Sequence, residues 1–194
     1  MKYGNIMSVK EIIKKSRSYR RFDESSMDID KLYDMVSVVR NTPSAGNLQN
    51  LRYILSTDKD KNSEIFTTLK WAGYLKDWES PCEGERPSGY IVIVTEKISS
   101  PNTWFDVGIA SQSIILNLVE NGYSGTIFLA IDKERLKSLL KTDLEIITVI
   151  AVGKPIENVE IVDCKEGDIK YYRDDKGNHF VPKRSLEELI IEKY

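Results

Sequence analysis

The stretch TWFDVGIASQSIILNLVENG, residues 103–122, is the best-defined helical pattern in the chain, and its reading decides the fold. Val107, Ile114, Ile115 and Leu118 recur at helical spacing and make one apolar stripe, while Gly122 stands where a C-cap belongs. The pattern predicts a helix over 103–121. Its first turns carry Gly108, Ala110, Ser111 and Ser113, small residues on several faces. A glycine inside a helix costs about 1 kcal/mol relative to alanine, a loss that close packing against another helix or a flat ligand would offset.

Around this helix lie short β-branched and aromatic runs at 52–57, 90–95, 126–130 and 146–152, which predict strands. Helical spacing is found at 9–15, 29–40, 63–71 and 133–140. From residue 52 onward strands and helices alternate, so the expected class is α+β, a mixed central β-sheet flanked by helices. Ser185 and Glu188 form a capping-box pattern that opens a terminal helix, with Leu186, Leu189 and Ile190 on one face, expected to dock. Residues 78–88, with two prolines, read as a mobile loop.

Bulk properties narrow the function. A chain of 194 residues with formal net charge −2 fits one domain and offers no global basic field for nucleic acid. Any anion site must be local. Cys82 and Cys164 match no metal spacing and no disulfide framework. No run approaches the roughly 18 apolar residues that span a bilayer, and no signal-peptide pattern opens the chain. The expectation is a cytoplasmic protein without membrane or nucleic-acid partners.

Two segments carry chemical potential. Thr42-Pro43-Ser44-Ala45-Gly46-Asn47-Leu48-Gln49 has no charge in a chain that is 30% charged. Pro43 fixes its own φ, Gly46 can take positive φ, and the polar side chains bond locally or outward, which suits an ordinary connecting loop or close backbone approach to a ligand. Arg17-Ser18-Tyr19-Arg20-Arg21-Phe22 places three guanidinium groups within five positions. Arginine forks match phosphate oxygens or a carbonyl edge, and a second cationic pair, Lys183-Arg184, precedes the terminal helix. A solvated charged face is the competing reading.

At these residues the chain resembles the FMN-dependent nitroreductase family over essentially its whole length. The resemblance rests on Arg17, Ser18, Arg20 and Phe22; on Pro43, Ser44, Asn47 and Gln49; on residues 106–112; on Gly122-Tyr123-Ser124-Gly125; and on Gly153-Lys154-Pro155. It implies a single FMN-binding domain spanning residues 1–194 and a homodimer with the long helix at its interface. It also implies hydride transfer from NADH or NADPH to nitroaromatics, quinones or related small electrophiles by a ping-pong mechanism. Arg17, Ser18 and Arg20 would grip the flavin, with Arg20 tuning its reduced form, and Lys183 and Arg184 would complete the phosphate site. Pro43, Ser44, Ala45 and Asn47, with Gln49 in the same segment, would reach the partner subunit's flavin, and backbone at Leu129 and Ala130 would face its N5 edge. Ser16 stands where many members have a further arginine. Trp71, Tyr74 and Phe128 are substrate candidates. Reductive dehalogenases and flavin-fragmenting enzymes are alternatives within the family, usually with a charged lid for which 79–86 is a candidate, and a flavin-binding module without turnover is another. His179 reads as part of a polar turn, and Glu166, Asp168, Asp174 and Asp175 as a solvated acidic face rather than a metal site.

Overall fold

The computed structural model describes residues 7–98, 100–165 and 167–194; Glu166 lies outside them. Helix α1 (Val9–Lys15) opens with a capping box in which Ser8 accepts from the Glu11 amide and the Glu11 carboxylate accepts from the Ser8 amide at 2.6 Å. Strand β1 (Phe22–Asp23), helix α2 (Ile29–Val36) and two 3-10 turns (Ser37–Asn41, Ala45–Asn47) lead to β2 (Leu51–Ser56). Then follow α3 (Lys59–Phe66), β3 (Gly89–Thr95), α4 (Asn102–Glu120), β4 (Ser124–Phe128), α5 (Lys133–Leu140) and β5 (Glu145–Pro155). The chain closes with β6 (Val159–Asp163), β7 (Tyr172–Arg173), β8 (His179–Lys183) and α6 (Leu186–Leu189).

The central sheet runs β2-β3-β5, and β5 pairs along its other edge with both β4 and β1. Strand β3 is buried throughout, and its residues alternate between two cores. Tyr90, Val92 and Val94 join Val149, Ala151, Ile65, Leu136 and Phe128 on one face, beneath α3 and α5. Ile91 and Ile93 join Ile150, Val152, Leu32, Met35, Ile114 and Leu118 on the other, beneath α2 and α4. The result is a helix–sheet–helix sandwich of the α+β class. The stripe expected on the long helix, Val107, Ile114, Ile115 and Leu118, is buried. Its end is a Schellman motif: Tyr123 N–H donates to Leu118 O at 2.8 Å and Gly122 N–H to Val119 O at 3.1 Å, with Gly122 at φ 78°.

Several elements differ from expectation for identifiable reasons. All strand pairs of the central sheet are antiparallel, and the parallel strand pair is β6 with β8 in a separate three-stranded sheet. Alternation of strand and helix suggested otherwise, but residues 57–88 run out and back, so β3 starts beside the end of β2, with Ser56 opposite Tyr90. Helix α3 begins earlier than expected because Asp58 caps it, accepting from the Lys61 amide at 2.8 Å. It ends where Thr67 and Thr68 turn their hydroxyls back onto Glu64 O and Ile65 O. The terminal helix is capped as expected but is four residues long and undocked, with Leu186 67% and Leu189 61% exposed. The loop expected to be mobile, 78–88, is tied down: Phe22 N–H donates to Glu85 O, Arg21 forks onto the Glu85 carboxylate, and Pro81 and Pro87 are buried. No helix among the described residues is long and apolar enough to cross a membrane.

Candidate functional site

The arginine segment leaves α1 and is stitched to the sheet at both ends. Ser18 forms a parallel bridge with Gly125, at the start of β4, and Phe22 enters the core with no exposed surface. Gly125 itself is packed tightly on β5 and α4: a Cβ there would lie 2.6 Å from Ala151 O and 3.1 Å from the Ile115 side chain. Between these anchors the three arginines separate by role. Arg21 is structural: its Nε donates to Glu85 at 2.7 Å, and this bond raises the arginine's pKa while lowering that of the carboxyl. Arg17 turns one guanidinium N–H back onto Ile13 O at 3.0 Å, capping α1, and its Nε is buried without a partner among the described residues. Arg20 faces the small sheet.

Arg20 is half-buried, and burial pulls its pKa below the usual arginine value. Its Nη1 donates to Ser18 O at 3.0 Å and lies 3.2 Å from His179 Nε2, while the guanidinium stacks 4.4 Å from the centroid of Tyr171. Its backbone amide and that of Arg21 donate to one oxygen of the Glu157 carboxylate. The other oxygen accepts from Arg173 at 2.6 Å. Among the described residues no carboxylate pairs with the Arg20 or Arg17 guanidinium. His179, expected in a polar turn, is fully buried at the start of β8; the turn itself is the 174–178 segment, in which Asp174 accepts from the Lys176 and Asn178 amides.

The uncharged loop projects from the opposite core layer. Gly46, Asn47 and Gln49 all adopt left-handed φ, at 59°, 55° and 49°, a conformation that costs non-glycine residues and recurs where function constrains the backbone. Asp106, buried in the second turn of α4, accepts from the Ala45 amide at 2.9 Å and fixes the loop on that helix. Tyr53 alongside is pushed up to about 12 by burial and by Asp106. Ala110 and Ser111 are buried on the same side of α4, so two of the small residues of its first turns are used there. Pro43, Asn47 and Gln49 stay exposed, Ser44 and Ala45 partly so, and the Gln49 amide bonds to Asn47. A cavity of about 190 Å³ lies among Pro43, Ser44, Asn47, Gln49 and Asp106. That is below the roughly 300 Å³ at which small-molecule pockets begin. A larger cavity of about 570 Å³ lies elsewhere, between Glu24, Phe66, Arg86 and Tyr90, and none of the expected site residues lines it.

The remaining expected residues divide. Leu129, 65% exposed, follows the last paired residue of β4, and Ala130 O accepts from the Lys70 amide at 3.0 Å. Lys183 and Arg184 are exposed at the far end of β8, where Arg184 meets Glu188 at 3.3 Å. Trp71 and Phe128, named as substrate candidates, belong to the core, with their rings edge to face at 4.6 Å. Tyr74 is 53% exposed and packs 5.0 Å from Tyr171, so it remains accessible. Within the lid candidate 79–86, Glu85 holds Arg21, and Glu24 accepts from the Arg86 backbone amide at 3.3 Å. Glu157, Tyr171 and His179 had no distinguishing signal in the sequence; Asp106 stood inside a recognised segment, but its loop contact could not be read from it.

An exposed apolar stripe marks α4: Phe105 is 70% exposed and Ile109 38%, one turn apart, with the open Gly108 beside them.

Comparison with known proteins bears on the fold and on the two segments. The model of the nitroreductase family matches residues 13–78, which include the arginine segment and the uncharged loop. The nitroreductase family protein from Streptococcus pneumoniae TIGR4 superposes with a TM-score of 0.68 at 16% identity, covering 96% of this chain and all (100%) of the other. A variant of the FMN and NADPH-dependent nitroreductase NfnB from Sphigopyxis sp. strain HMH gives a TM-score of 0.65 at 17% identity, covering 95% and 98%. In sequence, iodotyrosine deiodinase from Thermotoga neapolitana is 23% identical over 164 residues, covering 75% of this chain and 87% of that protein. The resemblance to the nitroreductase family is thus shown, and the fold is the nitroreductase fold.

Proposed function

We propose that the chain is a single FMN-binding domain that works as a cytoplasmic homodimer and uses NADH or NADPH to reduce nitroaromatics, quinones or related small electrophiles. One observation carries this reading: Arg20 is a half-buried cation with no carboxylate partner among the described residues. Taking a charge out of water is costly without compensation, so such a guanidinium suits a ligand that brings negative charge. The unpartnered Nε of Arg17 is a second donor of the same kind. These groups fit a flavin, whose pyrimidine edge and phosphate are acceptors.

Strand β8 rises about 13 Å from His179 to Lys183 at roughly 3.3 Å per residue. Arg20 beside His179 and the Lys183–Arg184 pair at the other end are therefore spaced for an elongated ligand, one at the ring edge and the other at the phosphate. Ser18 and the backbone at Leu129 and Ala130 complete the near side. The loop with Pro43, Ser44, Ala45, Asn47 and Gln49 serves the partner's site, because its cavity is too small to enclose a flavin alone. FMN, when bound, supplies the hydride chemistry, and the protein supplies binding, orientation and charge. Arg20 places a fixed positive charge where negative charge develops on reduction. Tyr74 is the remaining aromatic for an acceptor to stack on.

Arg20→Ala tests the reading: the purified variant is expected to lose the yellow colour and at least about tenfold in FMN affinity, the order of one charge-assisted hydrogen bond. Unchanged flavin content would overturn it. A second reading, reductive dehalogenation, draws on the similarity to iodotyrosine deiodinase. Turnover with a halogenated tyrosine as acceptor, and none with quinones, would favour it.

A further inference from the structure

We propose that His179 is a positioning residue for Arg20, a neutral acceptor that orients the guanidinium toward the flavin without cancelling its charge. The inference rests on the flavin reading above and concerns how the small sheet, β6 to β8, serves it.

Every group that holds Arg20 leaves its charge intact. Arg20 is a donor only, so the 3.2 Å contact makes His179 Nε2 the acceptor and places the ring proton on Nδ1. Ser18 O takes a second hydrogen bond from the same nitrogen, and Tyr171 covers one face of the guanidinium. Tyr171 also packs 5.3 Å from His179, so the three side chains lock one another. The nearest acid, Glu157, is spent on the backbone amides of Arg20 and Arg21 and on Arg173, whose own guanidinium stacks on Trp78 at 4.5 Å. Among the described residues the hydrogen bonds of the guanidinium to Ser18 and His179 both come from Nη1.

A carboxylate in place of His179 would orient Arg20 equally well and would form a salt bridge in a partly buried place. The pair would then present no net charge to the flavin. An imidazole kept neutral avoids this. Burial, Arg20 and Arg173 together hold His179 down to about 4, so it stays neutral across the ordinary working range. An ordinary buried histidine would need only to fill space. Among the described residues Nδ1 has no partner, so the one hydrogen bond that sets the ring is the contact with Arg20.

The test measures the midpoint potential and FMN dissociation constant of the purified flavoprotein and of His179→Glu, His179→Gln and His179→Leu, with Arg20→Met as reference. His179→Glu is expected to weaken binding of reduced relative to oxidised FMN by about tenfold, a fall of about 30 mV for a two-electron couple. His179→Gln, which retains an acceptor without charge, is expected to stay within about threefold of the native protein, and His179→Leu to lose about tenfold in FMN affinity. A space-filling role predicts that Glu and Gln move the potential alike; that result, or a native potential in His179→Glu, overturns the proposal. Should His179→Glu not fold, equal FMN affinities in Gln and Leu overturn it. A shift in Arg20→Met with none in the His179 series leaves the flavin reading standing; no effect in Arg20→Met removes both.

Discussion

His179 lies between two cations with its ring fully buried, and this fixes a pH dependence. Its pKa falls from 6.5 in the unfolded chain to about 4 in the fold. The unfolded state therefore binds more protons between these values, so stability is fully present above 6.5 and is lost as pH falls toward 4. The size is up to about 3 kcal/mol, at roughly 1.4 kcal/mol per pKa unit. Urea unfolding of the native chain should show this decline, and His179→Leu should flatten it; an equal slope in both would remove His179 as its source. Glu85 adds in the same direction lower down, since its bond to Arg21 lowers its pKa and its contribution vanishes as the carboxyl protonates. At this scale the sequence revealed the types of the site residues and not their partners. Three arginines stood in one segment, yet only contacts from residue 85 and residues 157–179 showed that Arg21 is structural and Arg20 unneutralised. Such contacts bridge more than sixty positions and leave no local pattern.

Among the elements, those with local signals were legible. The helical spacing at 9–15 and 133–140 and the apolar stripe of α4 each located a helix within a residue or so. The small sheet was not legible, because β6 and β7 keep their side chains only partly covered or exposed and so carry no strong alternation. The terminal helix showed the converse error: its capping pattern was right, but an apolar face says nothing about where it docks. Where β1 meets β5, Phe22 packs directly on Gly153, whose added Cβ would sit 2.9 Å from the phenylalanine Cβ. Gly153→Ala is therefore expected to destabilise by about 1–3 kcal/mol, the usual cost of overpacking. It should also loosen the Arg17–Phe22 segment, lowering FMN affinity together with the denaturation midpoint. A midpoint equal to that of the native chain would show that the contact yields without cost.

For the whole molecule, the proposed function would assign Arg20 and its neighbours to one flavin and the uncharged loop to the flavin of a second copy. The uncharged loop, 42–49, is fixed on α4 by Asp106, and the same helix exposes Phe105 and Ile109. A second copy seated on that helix would cover the stripe and complete each cavity. Phe105→Glu should then shift the protein to a monomer in sedimentation velocity and release FMN in parallel. A monomer that keeps its flavin would separate assembly from the site and contradict the shared arrangement. The resemblance in residues 17–22 and 42–49 was legible before any coordinates because both segments are defined by residue type at fixed spacing. Their division between two subunits was implied by the same resemblance and stays a proposal, which the small cavity and the exposed face of α4 support.

The central claim is that this fold holds FMN for reduction by a nicotinamide. The most direct measurement is the visible absorbance of the purified protein reconstituted with FMN and titrated anaerobically with NADH and with NADPH. The account predicts one tightly held FMN per chain, with an oxidised-flavin spectrum that bleaches with at least one of the two donors and returns when a quinone is added. A colourless protein that takes up no FMN, or a bound flavin that neither donor bleaches, would contradict it.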